Sequence, residues 1–165
     1  MTDHTAHTHT LSHLDKDGNI TMVDVGDKVA TTRTATATGK VIFPSDIYQA
    51  IKQTDGQTKK GNITATAHIA GIMAGKKTHE LIPLCHALPL DTIKMSFIYD
   101  DEMCAIIVTA TAKVTHKTGV EMESLTAVSV ACLTVYDMTK ALSHDITISD
   151  ICLVNKTGGK SDYVK

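Results

Sequence analysis

Residues 93–142 read IKMSFIYDDEMCAIIVTATAKVTHKTGVEMESLTAVSVACLTVYDMTKAL, and this stretch decides the fold. Apolar residues alternate with mostly polar ones over residues 93–99, and the acidic turn at residues 100–102 leads into a second strand over residues 104–115. Over residues 120–142 the apolar residues instead recur at spacings of three and four, the stripe of an amphipathic helix. The stretch therefore predicts a β-hairpin followed by the longest helix of the chain.

Further elements precede this stretch. Threonines alternate with small and apolar residues from Lys28 to Phe43, which predicts a first strand. A short helix is predicted to follow Pro44 and to end at Asp55-Gly56. A second helix is predicted over residues 62–76, although Gly71 and Gly75 weaken its last turn.

A closing strand is predicted over residues 146–153, and its alternation changes near Ser149-Asp150 as a β-bulge requires. The resulting order β-α-α-β-β-α-β contains the split βαβ plan of a ferredoxin-like fold. We therefore predict the α+β class, with a ferredoxin-like antiparallel sheet, helices packed on one face, and an additional helix. A sheet covered on one face leaves its edges and its other face without a partner, so self-association is expected.

Length and composition indicate one folded domain. A chain of 165 residues suits a single hydrophobic core, and 42% hydrophobic with 21% charged residues is a globular balance. We assign residues 16–165 to this domain and residues 1–15, rich in histidine and threonine, to a disordered tail. A net charge of −2 argues against a nucleic-acid partner. The absence of a run of about 18 apolar residues argues against membrane insertion, so a cytoplasmic protein is expected.

A first candidate site lies in the loop Leu84-Cys85-His86, which has a proline at either end. The prolines stiffen the backbone and would fix the direction of the imidazole, as a site requires. A loop histidine that only hydrogen-bonds to backbone is the alternative. Cys85 and His86 could also join His79 in a zinc site, although the chain has no C-x-x-C pair to support one.

Two carboxylates, Glu121 and Glu123, stand at the start of the longest predicted helix. Carboxylates there complement the helix dipole, so simple capping would explain them. Because residues two apart project on different faces, one of them is expected to point inward. An inward glutamate beside a basic ligand would be functional.

Asp137 and Lys140 lie three residues apart, late in the same helix. This spacing makes a surface ion pair the default interpretation. Beside a desolvated site, however, the same pair could tune an amine for proton transfer.

Lysines next to glycine form the last candidates. Lys60 precedes Gly61, and residues 156–160 read KTGGK. A lysine flanked by glycine can bring both its ammonium and its backbone close to phosphate. The KTGGK run lacks the spacing of a P-loop, so an ATPase or GTPase is not predicted.

At these same residues the sequence resembles the MoaC family. The resemblance covers the chain from about residue 20 to its C-terminus, and seven separate motifs in one order are a specific signal. The sequence departs from the family where proline after the histidine is replaced by Ala87-Leu88-Pro89. The matching stretches are Met22-Val23-Asp24-Val25, Lys60-Gly61, Ala70-Gly71-Ile72, Leu81-Ile82-Pro83-Leu84-Cys85-His86, Lys117-Thr118-Gly119-Val120-Glu121-Met122-Glu123, Tyr136-Asp137-Met138 with Lys140, and Lys156 with Gly158-Gly159-Lys160.

The resemblance implies a ferredoxin-like subunit of a homohexamer, arranged as a trimer of dimers. It implies a lyase that converts 3′,8-cyclo-7,8-dihydroguanosine triphosphate, a cyclised GTP derivative, to cyclic pyranopterin monophosphate and diphosphate. No metal site and no cofactor are implied, although Mg²⁺ could accompany the triphosphate. A non-catalytic nucleotide- or pterin-binding module with the same pocket is the alternative function.

The resemblance also implies roles for individual residues. Proton transfers during pterin formation suit Lys–Asp and His–Glu pairs, and the departing diphosphate needs positive charge. The implied roles are catalytic for Asp137, Lys140 and Lys60, substrate-binding for Leu84, Cys85, His86, Met122 and Glu123, and neighbouring within the pocket for Glu121, Arg33 and Lys156.

Overall fold

The structure, a computed structural model, describes residue 14 and residues 17–165. Apart from Leu14, the expected tail over residues 1–15 lies outside the described residues, so its disorder stays a prediction. The helices and strands are β1 (Thr31–Ile42), α1 (Ser45–Gln53), β2 (Gln57–Thr58), β3 (Gly61–Asn62), α2 (Ile63–Lys76), α3 (Thr78–Leu81), β4 (Thr92–Asp100), β5 (Ala105–His116), α4 (Glu121–Thr139), β6 (Thr147–Thr157) and β7 (Tyr163–Val164).

The main sheet has the order β4-β5-β1-β6-β7, and each neighbouring pair is antiparallel. Within it, β5 lies between β1 and β4. The first and second long strands of the chain, β1 and β4, are therefore not neighbours, because the third long strand pairs with both. This is the strand order of the ferredoxin-like plan, and α2 and α4 pack together on the sheet. The predicted α+β class and its helix-covered antiparallel sheet are confirmed.

Several short elements were not predicted. The hairpin β2–β3, the single turn α3 and the edge strand β7 have two to four residues each, too few to produce a periodic pattern. Three ends differ from the prediction by three or more residues. The strand β1 begins at Thr31 instead of Lys28, α4 stops at Thr139 instead of Leu142, and β6 continues to Thr157 instead of Leu153. The longer β6 is paired with β1 as far as Thr34 opposite Thr157.

The predicted bulge in the closing strand is confirmed. Thr38 pairs with Cys152 while Lys40 pairs with Ser149, so two residues of β6 stand opposite one of β1. Asp150 is one of the two, with a φ of 53°, and its carboxylate lies 3.0 Å from the Lys40 ammonium. The change in alternation thus marks a real irregularity of the β1–β6 ladder.

The helix-facing side of β1 carries small residues at three successive inward positions, Ala35, Ala37 and Gly39. Ala35 and Ala37 of β1 are fully buried and stand opposite Ala112 and Ala110 of β5. A Cβ added at Gly39 would lie 2.8 Å from a methyl carbon of Val128 on α4. Because these positions carry at most a methyl group, α4 can lie close to β1 and β5.

The other side of β1 carries threonines, and these pair across the strands. Thr36 and Thr111 stand opposite each other with their hydroxyl oxygens 2.9 Å apart. The alternation that predicted this strand therefore separates a small apolar side that meets α4 from a hydroxyl-rich side that does not.

Among the described residues, no helix is long and apolar enough to cross a membrane.

Helix α2 continues through Gly71 and Gly75, and both glycines face the neighbouring helix α4. Both are buried, one helical turn apart. An added Cβ would lie 2.9 Å from the carbonyl oxygen of Ala127 at Gly71, and 3.1 Å from that of Glu123 at Gly75. The glycines lower helix propensity but let α2 lie directly against α4.

Gly71→Ala should therefore destabilise the protein although alanine is the better helix former. We expect the free energy of unfolding to fall by about 1–3 kcal/mol, the usual cost of overpacking a tight contact. Urea unfolding at fixed protein concentration measures it. Ile69→Ala is the control, because Ile69 is 62% exposed on the same helix and should change stability by less than about 0.5 kcal/mol. A Gly71→Ala protein as stable as the wild type would contradict the packing argument.

Candidate active site

A cleft of about 610 Å³ opens at the N-terminal end of α4. Its walls come from the loop after α3, the first turn of α4, the end of β6, and the segment before β1. Seven of the site residues predicted from the sequence line this cleft, and they come from three separate motifs. They are Leu84, Cys85, His86, Glu121, Met122, Glu123 and Lys156.

A smaller cavity of about 240 Å³ adjoins the cleft, and Thr118, Gly119, Glu121 and Lys156 line both. Its cationic lining residues are Lys28, Arg33, Lys117, Lys156 and Lys160. Glu121 is the acidic residue among them, and its carboxylate lies 2.9 Å from the Lys156 ammonium. Cations in such excess over carboxylate favour an anionic ligand. We call this space the basic cavity.

Arg33 stands at the wall of the basic cavity with an incomplete set of partners. Its Nη2 donates to the carbonyl oxygen of Lys117 at 3.5 Å, while its buried Nε has no hydrogen-bond partner in the described structure. A Cβ added at Gly159 would lie 2.9 Å from Nη1, so the glycine leaves room for the guanidinium. An arginine with unused donors is suited to phosphate or carboxylate oxygens.

Glu123 is the inward carboxyl that the sequence predicted. Its side chain is buried, and burial raises its pKa to about 7, with the nearby Glu121 carboxylate adding to the rise. Burial and the charge of Glu123 also raise the pKa of the Cys85 thiol. A carboxyl that titrates near neutral pH can both give and accept a proton.

His86 lies in the cleft wall as predicted and is half-buried. A hydrogen bond of 3.1 Å from the Cys85 backbone N–H to the Ile82 carbonyl closes a turn just before it. The imidazole therefore stands on a constrained loop beside Cys85 and the first turn of α4. Its role in binding or catalysis stays a prediction.

A second cluster lies at the opposite end of α4. The Asp137 carboxylate is 2.6 Å from the Lys140 ammonium and 3.5 Å from that of Lys60. All three side chains are more than half exposed. Hydrogen bonding to Lys140, with a smaller contribution from Lys60, lowers the pKa of Asp137, and Asp137 in turn raises the pKa of Lys140. We call these residues the Lys–Asp–Lys cluster.

The unpredicted hairpin β2–β3 explains how Lys60 reaches this cluster. The Thr58 hydroxyl accepts the Lys60 backbone N–H at 3.0 Å and donates to the Gly61 carbonyl at 2.8 Å, which fixes the tight turn. The cluster borders a cavity of about 510 Å³ whose other walls include Ile51, Ile63 and Leu142. Lys60 and Lys140 thus stand at the edge of a partly apolar pocket.

The two groups of site residues are far apart in one chain. Asp137 follows Glu121 by sixteen residues of the same helix, which at the 1.5 Å rise per residue places them about 24 Å apart along its axis. The structure therefore places the predicted binding residues in the cleft and the adjoining basic cavity, and the predicted catalytic residues at the other end of α4. Sequence similarity alone did not reveal this separation.

Sequence reasoning missed Lys28 and Lys117 as site residues, although both stand inside or beside matching motifs. Each reaches the basic cavity from an irregular segment, where no periodicity signals the direction of a side chain. The zinc alternative gains no support, since residues 14 and 17–165 contain no group of three His, Cys, Asp or Glu placed to hold a metal ion.

The strand order defines an α+β protein with a ferredoxin-like sheet, and the charged regions at the two ends of α4 place carboxylates beside lysine ammonium groups. The model of the MoaC family matches residues 22–159, and the chain belongs to that family. Proteins named cyclic pyranopterin monophosphate synthase are among its relatives. The one from Heliobacterium modesticaldum is 48% identical over 93% of this chain and 95% of its own. The one from Methylobacterium nodulans is 50% identical over 92% of this chain and 94% of its own.

Glu123→Gln should remove a pH dependence of stability. Below pH 4.5 the carboxyl is protonated in the folded and unfolded states alike, so the variant should match the wild type. As pH rises toward 7, the unfolded chain releases this proton first, and the folded wild type loses stability. Above that range the wild type should be less stable than Glu123→Gln by on the order of 2–3 kcal/mol.

Urea unfolding of both proteins between pH 4 and pH 8 measures this difference. Equal stability at pH 4 serves as the internal control for the substitution itself. A constant difference across the range would mean that Glu123 has no raised pKa.

Proposed function

We propose that this chain is a cyclic pyranopterin monophosphate synthase of molybdenum cofactor biosynthesis. As a phosphorus–oxygen lyase, it would convert (8S)-3′,8-cyclo-7,8-dihydroguanosine 5′-triphosphate to cyclic pyranopterin monophosphate and diphosphate. Family membership and relatives near 50% identity support this reaction. The structural observation that carries the proposal is the buried Glu123 carboxyl, whose pKa burial raises to about 7, in a cleft that adjoins a lysine- and arginine-lined cavity.

The larger cleft suits the ring system of the substrate. Its volume of about 610 Å³ lies within the range of small-molecule sites. Leu84 and Met122 provide apolar surface, while Cys85, His86 and Glu123 place polar groups among them. In our proposal these residues bind the guanine-derived rings, and His86 and Glu123 exchange protons with ring nitrogens and oxygens during rearrangement.

The basic cavity suits the triphosphate. Closing the cyclic phosphate expels diphosphate, so negative charge grows on the leaving oxygens. Lys156 and Arg33 would stabilise that charge, with Lys28 and Lys160 at the cavity rim. Mg²⁺ could enter with the triphosphate. Because Glu121 is the acidic residue in the lining of the basic cavity, the cavity offers few of the carboxylate oxygens that Mg²⁺ prefers. In our proposal the lysines and Arg33 therefore neutralise most of the phosphate charge.

The Lys–Asp–Lys cluster would supply the remaining proton transfers from a second subunit. Its distance of about 24 Å from the cleft is too great for one bound substrate to contact both. We therefore propose a cytoplasmic homohexamer, a trimer of dimers, in which the cleft of one subunit faces the cluster of another. The sheet surface that carries the paired threonines leaves a face on which subunits could associate.

Turnover is the direct test. Purified protein incubated with the cyclised GTP derivative should release diphosphate and a pterin. Asp137→Asn and Lys140→Ala should each reduce turnover at least a hundredfold with little change in thermal stability, because both side chains are more than half exposed. The double variant should be barely worse than either single one if the pair performs one proton transfer.

Lys77→Ala is the matched control, since Lys77 forms an exposed ion pair with Glu80 three residues away and lies outside the site. Near-normal rates in both Asp137→Asn and Lys140→Ala would make their pair purely structural. Tight binding of the substrate without turnover by the wild type would favour a nucleotide- or pterin-binding module instead.

Mixing two inactive variants tests whether sites are shared between subunits. His86→Ala damages the cleft and Asp137→Asn damages the Lys–Asp–Lys cluster. In a mixed dimer one site would carry both defects and the other would carry none. Co-refolding equal amounts should therefore restore about a quarter of wild-type activity, measured as diphosphate release. Separately refolded variants are the control, and no recovery in a mixture proven to contain mixed oligomers would place the whole site in one chain.

A further inference from the structure

The segment Met22–Ala30 forms one wall of the cleft although it belongs to no helix or strand. Val23 and Val25 line the cleft, and Lys28 lines both the cleft and the basic cavity. Met22 and Val29 are 49% and 79% exposed, while Val23 and Val25 are half-buried, so the segment has no fully buried apolar side chain. We call residues 22–30 the strap.

Hydrogen bonds within the strap shape it but do not attach it. The Asp24 carboxylate accepts the Gly26 backbone N–H at 2.8 Å, and the Lys28 N–H donates to the Val25 carbonyl at 3.2 Å. These two bonds form a compact turn. They would persist if the whole turn moved away from the cleft.

Lys117 attaches this turn to the rest of the molecule. Its ammonium donates a short hydrogen bond to the Gly26 carbonyl oxygen. Within the described part of the chain, this is the hydrogen bond that links residues 22–30 to another element. The backbone carbonyl of Lys117 also accepts the Arg33 guanidinium, so one residue contacts two walls of the basic cavity.

We propose that Lys117 is a positioning residue for the substrate site. It holds the strap against the cleft, which places Lys28 beside the triphosphate and closes one side of the site to water. This inference rests on the proposed function, which supplies the substrate. Lys117 would act on that substrate indirectly, by placing Lys28 and Arg33.

Lys117→Met, which keeps the unbranched side chain up to its fourth atom but removes the ammonium donor, tests the proposal. We expect KM for the cyclised GTP derivative to rise roughly tenfold, with a smaller change in kcat, because ground-state placement of the triphosphate is lost. Limited trypsin digestion should cleave after Lys28 several times faster, measured by mass spectrometry of the fragment beginning at Val29. Lys117→Arg retains a donor and should restore both readouts in part.

Two further variants separate attachment from simple loss of charge. Lys113→Met removes an exposed lysine of β5 that does not line the cavity, and it should leave KM and cleavage unchanged. Asp24→Ala disrupts the turn itself, so its effect on KM should not add to that of Lys117→Met if both act by placing the strap.

A Lys117→Met protein with a raised KM but unchanged cleavage at Lys28 would overturn the proposal, because Lys117 would then act directly on the substrate. Unchanged KM would overturn it as well. If the wild type shows no turnover, the proposed function fails, and faster cleavage at Lys28 would still establish the attachment by Lys117.

Discussion

Helix α4 lies against β1, β5 and α2 at a distance that only small side chains permit. Alanines line the facing strands, Gly39 leaves room for Val128, and Gly71 and Gly75 bring α2 against the backbone of α4. Close packing of this kind resists small displacements because neighbouring atoms have no space to adjust. The position of α4 is therefore fixed by the whole core, and both charged regions depend on it.

Chemistry sits at the two ends of this rigid helix. Glu121 and Glu123 occupy its first turn, where the helix dipole favours carboxylates, while Asp137 and Lys140 pair at its end. The length of α4 keeps its two ends about 24 Å apart, so one chain does not bring the cleft and the Lys–Asp–Lys cluster together. In the proposed oligomer, the cleft of one subunit would meet the Lys–Asp–Lys cluster of another, and the packing of α4 in each subunit would set their alignment.

The cleft combines features that work against folding. Glu123 is buried where ionisation is costly, and lysines and Arg33 surround the basic cavity with Glu121 as their nearby carboxylate. Groups arranged in this way destabilise the empty protein but become favourable once a triphosphate neutralises the cations. The strap forms another wall of the cleft and has no fully buried side chain; in our proposal Lys117 holds it in place.

The sequence by itself determined the α+β class, the order of the long elements, the bulge near Asp150 and the expectation that either Glu121 or Glu123 points inward; the structure showed that it is Glu123. These depend on local periodicity and on residues close along the chain, which a pattern records directly. Family motifs also marked most of the charged residues, including the pair Asp137 and Lys140. Only the tertiary structure decided which of them meet. Lys28 and Lys117 reach the cleft from irregular segments, and the hairpin that carries Lys60 is too short to leave a pattern. The separation of cleft and cluster follows from the 19-residue length of α4, which extends beyond any single motif.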